Sequence, residues 1–177
     1  KGLLTGTPSD PKGQWRMMDI ADEVIRYIRG AVQYVLAIEP KTLDYFHFLK
    51  ESISDPLIDA VDIFTLNHDT FLEQVLEHHD IQFVDGFNPV EDSFRLWTPS
   101  LYEAETTCRV RLFKLHGSIN WYGFKDTPSL AFGIPVKDFW EKYAHKYDYD
   151  GEPVILIGTH NKILAYSGPI FFDLHYL

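Results

Sequence analysis

Val61-Asp62-Ile63-Phe64-Thr65-Leu66, followed by Asn67-His68-Asp69-Thr70 and then Phe71-Leu72-Glu73-Gln74-Val75-Leu76, is the stretch that decides the fold class. The first six residues are largely apolar and β-branched, the pattern of a buried strand. The run stops abruptly at four polar residues. Beyond them Phe71, Leu72, Val75, Leu76 and His79 recur at helical spacing, with Asp69 or Thr70 suited to cap the helix and Glu73 in its first turn. Strand, polar turn and helix in this order form a building unit of α/β sheets.

Working outward, the upstream chain divides in two. Residues 1–18 hold Gly2, Gly6, Pro8, Pro11 and Gly13, a density of breakers that predicts an irregular segment with no regular element before about Met17. From Asp19 the positions Ile20, Val24, Ile28, Val32, Val35 and Leu36 predict an amphipathic helix stopped by Pro40. A short helix is expected over Thr42–Ser52, where Leu43, Phe46 and Leu49 share a face. Downstream, Ile81–Val84 reads as a short strand closed by Asp85-Gly86, and residues 85–107 as a long connection placed to cover a site.

Arg109-Val110-Arg111-Leu112-Phe113-Lys114-Leu115 alternates charged and apolar residues until Lys114 and runs into His116-Gly117-Ser118. It predicts a strand, with a further one over Trp121–Phe124, a surface helix over Lys137–Tyr147, and an apolar strand over Pro153–Ile157 that ends at Gly158-Thr159-His160-Asn161-Lys162. Three strands thus end in polar or glycine-containing turns, at 67–70, 116–118 and 158–162. In open α/β sheets ligands bind outside the carboxyl ends of strands, so these turns are expected to converge on one crevice.

Composition narrows the class further. The 177 residues carry 16 Lys+Arg against 26 Asp+Glu, a net charge of −10, and a single cysteine. The length suits one domain. The acidic balance disfavours nucleic acid, whose affinity rests on Lys and Arg contacts to phosphate. One cysteine makes neither an internal disulfide nor a four-cysteine zinc site, which points to a reducing, cytoplasmic setting. No apolar run approaches the roughly 18 to 20 residues of a membrane span, and no signal-peptide layout is present. The chain opens at Lys1 without Met and closes on Phe171-Phe172-Asp173-Leu174-His175-Tyr176-Leu177 in mid-helical pattern, so a fragment of a longer polypeptide is expected.

Candidate chemistry concentrates in the turns. The cluster His78-His79-Asp80 near His68 lacks an HExxH or paired-cysteine pattern, and adjacent histidines on a helix diverge by about 100°, so no metal is expected. Neither GxGxxG nor a P-loop is present, and Gly2-Leu3-Leu4-Thr5-Gly6-Thr7 follows no strand. Cys108 has no base beside it in sequence. Asn67 offers an amide, Asp69 a carboxylate, and His116 a base of ordinary pKa about 6.5. These groups suit recognition and activation of a sugar hydroxyl. They equally suit helix capping and a turn hydrogen bond.

Thr65-Leu66-Asn67-His68-Asp69-Thr70-Phe71-Leu72-Glu73, followed by Lys114-Leu115-His116-Gly117-Ser118-Ile119-Asn120-Trp121, resembles the sirtuin-like domain of bacterial NAD-consuming proteins. Asp85-Gly86-Phe87 and Leu156-Ile157-Gly158-Thr159-His160-Asn161-Lys162 add to the resemblance, which covers roughly residues 55–177. It implies an α/β domain over residues 19–177 with a mostly parallel, Rossmann-like sheet and flanking helices, incomplete at both ends. In sirtuins the first motif reads Thr-Gln-Asn-Ile-Asp; here Leu66 and His68 replace the Gln and the Ile. By resemblance Asn67 and His116 are catalytic, the Asn engaging the nicotinamide ribose and its water and the His acting as base. Thr65, Asp69, Gly117 and Ser118 then hold NAD, with Asp69 on the nicotinamide carboxamide.

The four-cysteine zinc module of the family's protein deacylases cannot be built from one cysteine. The resemblance therefore points to the zinc-free branch, whose members hydrolyse NAD to nicotinamide and ADP-ribose, many of them in antiphage defence by NAD depletion. NAD is then substrate, and the implied partners are further copies of the chain or a partner defence protein, not nucleic acid or membrane. The family's opening Gly-Ala-Gly phosphate loop is not recognisable, nor is the later strand ending in a Gly-Tyr-Ser-like turn. That departure keeps a non-catalytic nucleotide-sensing or assembly module as an alternative, with an NAD-dependent protein deacylase behind it. Hydrolysis is not separated from cyclisation or transfer at this level.

Overall fold

The computed structural model describes residues 11–90, 94–104, 108–124, 131–135, 151–157 and 169–177. Around the deciding stretch, strand β1 (Val61–Thr65) is followed by helix α3 (Phe71–His78), and upstream lie helices α1 (Pro11–Leu36) and α2 (His47–Ser54), the latter entered through a 3-10 turn over Asp44–Phe46. Short strands β2 (Phe83–Val84) and β3 (Phe94–Leu96) come next, then a 3-10 turn over Pro99–Tyr102. Strands β4 (Val110–Lys114), β5 (Tyr122–Phe124) and β6 (Ala131–Pro135) and helix α4 (Pro169–Tyr176) complete the described elements.

The chain is mixed α/β, with a small parallel sheet ordered β1-β4-β2. Register runs from Val61 opposite Val110 to Thr65 opposite Lys114, so both long strands end level with each other. β4 is central and buries Val110, Leu112, Phe113 and Lys114. β1 differs from the expected buried strand. Among the described residues it is an edge strand whose side chains alternate between half-buried and exposed, and Phe64 is 62% exposed even as its ring stacks on Phe113 at 4.7 Å. An apolar run is buried on both faces only where layers cover both faces.

A second sheet, β3-β6-β5, is antiparallel. Among the described residues the parallel sheet expected from sequence is thus present but small, and it is accompanied by a second sheet of opposite type. The long connection over 85–107 also carries more structure than expected, because Asp85 accepts a bidentate pair from Arg95 at 2.7 and 2.9 Å while Arg95 also donates to the carbonyls of Phe87 and Asn88. Beside it, Phe87, Tyr102, Phe113, Trp121, Phe132, Leu156, Ile170, Phe171 and Leu174 form an aromatic-rich core against which Trp97 packs. Trp97 Nε1 donates to Asp173 Oδ2 at 3.0 Å, tying α4 to this core. The buried Tyr102 hydroxyl donates to the Leu112 carbonyl at 2.8 Å.

α1 starts at Pro11 rather than near Asp19, so residues 11–18, expected to be irregular, are helical. Proline is well suited to a first helical position, where its missing N–H has no partner to lose, and one Gly costs only about 1 kcal/mol in a long helix. Only part of its expected apolar stripe, Val32 and Leu36, lies on the face that attaches it. Ile20, Val24 and Val35 are exposed, whereas Ile25, Arg29, Val32, Gln33 and Leu36 are partly buried. Gln33 donates to the Ile119 carbonyl and to the Tyr122 hydroxyl, and Arg29 pairs with Glu152 at 3.4 Å. Polar anchors beside Val32 and Leu36 thus contribute to holding this helix in place. No helix of the described residues is long and apolar enough to cross a membrane. The expected helix at 137–147, the turn at 158–162 and residues 1–10 of the N-terminal segment lie outside the described residues.

Candidate functional site

Because β1 and β4 are parallel and end in register, the turns that follow them leave the sheet side by side. The Leu115 N–H donates to the Thr65 carbonyl at 3.0 Å, extending the ladder one step into the second turn. In the first turn the Asn67 N–H donates to Thr65 Oγ1 at 3.1 Å, and the Phe71 N–H to Asp69 Oδ1 at 3.0 Å. The N-cap of α3 is Thr70, whose side chain makes no cap hydrogen bond; Asp69, one residue earlier, instead closes an Asx-type turn onto the first helical N–H.

The second turn closes tightly, with the Gly117 N–H donating to the Lys114 carbonyl at 3.0 Å. Gly117 has φ +79°, and a Cβ there would stand 2.0 Å from the Val154 carbonyl oxygen. Glycine is therefore required twice, by conformation and by space. The segment at Val154–Leu156 runs antiparallel to this turn: Ser118 N–H donates to Val154 O at 3.1 Å and Leu156 N–H to His116 O at 2.9 Å. The two turns are joined directly by the Ile119 N–H, which donates to the His68 carbonyl at 2.9 Å.

This arrangement gathers Thr65, Asn67, Asp69, His116, Gly117 and Ser118 at one end of the parallel sheet. Asn67 is exposed and His116 half-buried, with the His116 ring centroid 6.1 Å from that of His68. Ser118 is fully buried; its hydroxyl donates to His68 O at 3.3 Å and accepts from Lys114 Nζ at 2.7 Å. Its side chain is engaged beneath the turns rather than displayed on them. The third turn expected to converge here, 158–162, lies outside the described residues.

Two residues missing from the sequence-derived site sit under it. Lys114 is 2% exposed, and its ammonium contacts Glu73 Oε1 at 2.7 Å, Ser118 Oγ and the Asp69 carbonyl. Burial pushes the Glu73 carboxyl above its ordinary range, and the charge of Lys114 pulls it partly back. The signal was present in the alternation of β4: after Val110 and Leu112, Lys114 falls on the buried face, where a lysine needs a partner.

Cavities flank the turns. One of about 210 Å³ is lined by Leu36, Pro40, Asp69, Thr70 and Phe71, and one of about 290 Å³ by Gln33, Thr70, Ile119, Asn120 and Tyr122. A further cavity of about 530 Å³ lies against Arg26, Arg29 and Glu152–Leu156, bounded by the same segment that bonds the His116 turn. Among the described residues no three His, Cys, Asp or Glu side chains are grouped so as to hold a metal. Set against known proteins, the chain matches no family model and no curated protein.

Proposed function

We propose that this chain is the zinc-free, sirtuin-like domain of an NAD hydrolase, its parallel sheet the Rossmann-like part, acting in the cytoplasm in antiphage defence by NAD depletion. The observation that carries the proposal is the juxtaposition of two motifs distant in sequence, Asn67–Thr70 and His116–Ser118, at the carboxyl ends of adjacent parallel strands. That end of a sheet is where α/β proteins bind ligands. Both motifs also carry the residue types that ribose chemistry needs.

In this mechanism Asn67, exposed on the first turn, holds the nicotinamide ribose and the attacking water through its amide. Asp69, with Oδ1 committed to the Phe71 N–H, turns its other oxygen to the carboxamide N–H of nicotinamide. The bond from the ribose anomeric carbon to the pyridinium nitrogen breaks through an oxocarbenium-like transition state, and its electron pair leaves with neutral nicotinamide. Water oxygen bonds to the same carbon, and its proton passes to His116 and then to solvent. General-base help of this kind is worth roughly 10²- to 10⁴-fold. The side-chain-free Gly117 lets the nucleotide approach the backbone of the second turn.

The test is nicotinamide release from NAD by the full-length protein, assembled with further copies or its partner protein as it exists. Wild type is expected to turn over, with Asn67→Ala and His116→Ala each reduced by at least ~10²-fold while retaining the wild-type circular dichroism spectrum. Absence of release from wild type, or activity surviving in both variants, overturns the proposal.

A further inference from the structure

We infer that Lys114 is a positioning residue whose ammonium, seated on Glu73, sets the spacing between the Asn67 turn and the His116 turn. Its catalytic consequence rests on the NAD-hydrolase proposal; its geometric content does not. A lysine ammonium has three N–H donors. Here they meet the Asp69 carbonyl, Glu73 Oε1 at 2.7 Å and Ser118 Oγ at 2.7 Å, so one charge ties the first turn, the first turn of α3 and the second turn together. Ser118 relays the tie to the His68 carbonyl, the same oxygen that accepts the Ile119 N–H. Lys114 itself is paired in register with Thr65. The clamp therefore stands at a level two residues before Asn67 on one strand and two before His116 on the other.

A buried ion pair is a weak source of net stability, because desolvation offsets attraction, but its hydrogen bonds are directional. Apolar side chains of similar volume fill the same space without fixing the direction in which either turn leaves the sheet. Loss of the clamp should thus appear as misplacement of Asn67 against His116 rather than as unfolding. A displacement of about 1 Å in such a pair lowers turnover by on the order of 10²-fold.

The experiment compares wild type with the double variant Lys114→Met/Glu73→Leu, which removes both charges and leaves neither unpaired. Its melting temperature is expected within about 5 °C of wild type. For nicotinamide release, kcat should fall by ~10²-fold with KM changed less than about threefold, since a misplaced base impairs the transition state more than binding. Independently of activity, the Ile119 amide should exchange with solvent at least ~10-fold faster, while the amides of Val110–Phe113 keep wild-type rates. Should the double variant fail to fold, Ser118→Ala removes one hydroxyl, which accepts from Lys114 and donates to the His68 carbonyl, and is expected to show the same two changes at smaller size. Wild-type kcat and wild-type exchange at Ile119 in the folded variant overturn the inference. Wild-type protein that releases no nicotinamide overturns the NAD-hydrolase proposal instead, and the exchange measurement alone then decides whether the clamp exists.

Discussion

Gly117 and Gly30 show how differently two copies of one residue type are constrained. At Gly117 the backbone is left-handed at φ +79° and a Cβ would meet the Val154 carbonyl oxygen at 2.0 Å, whereas at Gly30, on α1, a Cβ would meet nothing within 4 Å. Gly117→Ala is expected to destabilise by about 2–3 kcal/mol, from strain at positive φ and displacement of the Val154 segment. Gly30→Ala should stabilise by about 0.5–1 kcal/mol by restricting the unfolded chain and favouring the helix. Urea denaturation of the two variants checks both signs. The placement of Asn67, Asp69 and His116 in turns that end strands was legible because turn chemistry is a local property. Glu73 was passed over because a carboxylate in a helical first turn has an ordinary local role, and Lys114 because its place on the buried face of β4 signals the need for a partner without naming one. The contact of 2.7 Å between them, across 41 residues of sequence, identifies that partner and places the pair under the two turns.

At the scale of elements, α3 and β4 agree with the periodicities that predicted them, β1 is a strand but an edge one among the described residues, and α1 follows its periodicity only in part. Tyr27 and Tyr34, neither of them in the expected stripe, are 78% and 80% exposed, while Gln33, about 100° round the helix from Tyr34, reaches the Ile119 carbonyl and the Tyr122 hydroxyl. Replacing Tyr27 and Tyr34 by Ser should therefore change stability by less than about 0.5 kcal/mol each. Gln33→Ala should cost about 1–2 kcal/mol, since it strips hydrogen bonds from the turn that follows the candidate site. Thermal melts of the three variants order these effects, and the reverse order would mean that α1 attaches through its aromatic face. β1 shows a related effect. Its β-branched run specifies a strand, but a position at the edge or the centre of a sheet depends on what pairs with the strand's other side, which no residue within the run encodes.

The molecule as a whole carries a net charge of −10. An anionic dinucleotide approaching it meets a repulsive field, so its phosphates have to be held by local N–H groups and helix N-termini rather than by the global potential. The sign of the salt effect follows. Raising ionic strength from about 0.02 to about 0.15 M shortens the screening length from above 20 Å to about 8 Å and weakens that repulsion, so, on the NAD-hydrolase proposal, the KM for NAD is expected to fall. A KM that rises with salt, measured by nicotinamide release, would place the nucleotide in a locally positive site instead.

What the sequence determined by itself is the local material: a strand–turn–helix unit at Val61–His78, a second strand running into His116-Gly117-Ser118, and the polar residues that end them. Hydrophobic period and turn chemistry operate within a few residues, so one chain suffices to read them. The tertiary structure alone decided the level register of β1 and β4, the antiparallel second sheet, the polar attachment of α1 and the burial of Lys114 on Glu73. Each depends on which distant segments meet. Whether a lysine is a solvated charge or the centre of a clamp is settled by its neighbours in space, because removing its charge from water is tolerable only where partners have been brought to it.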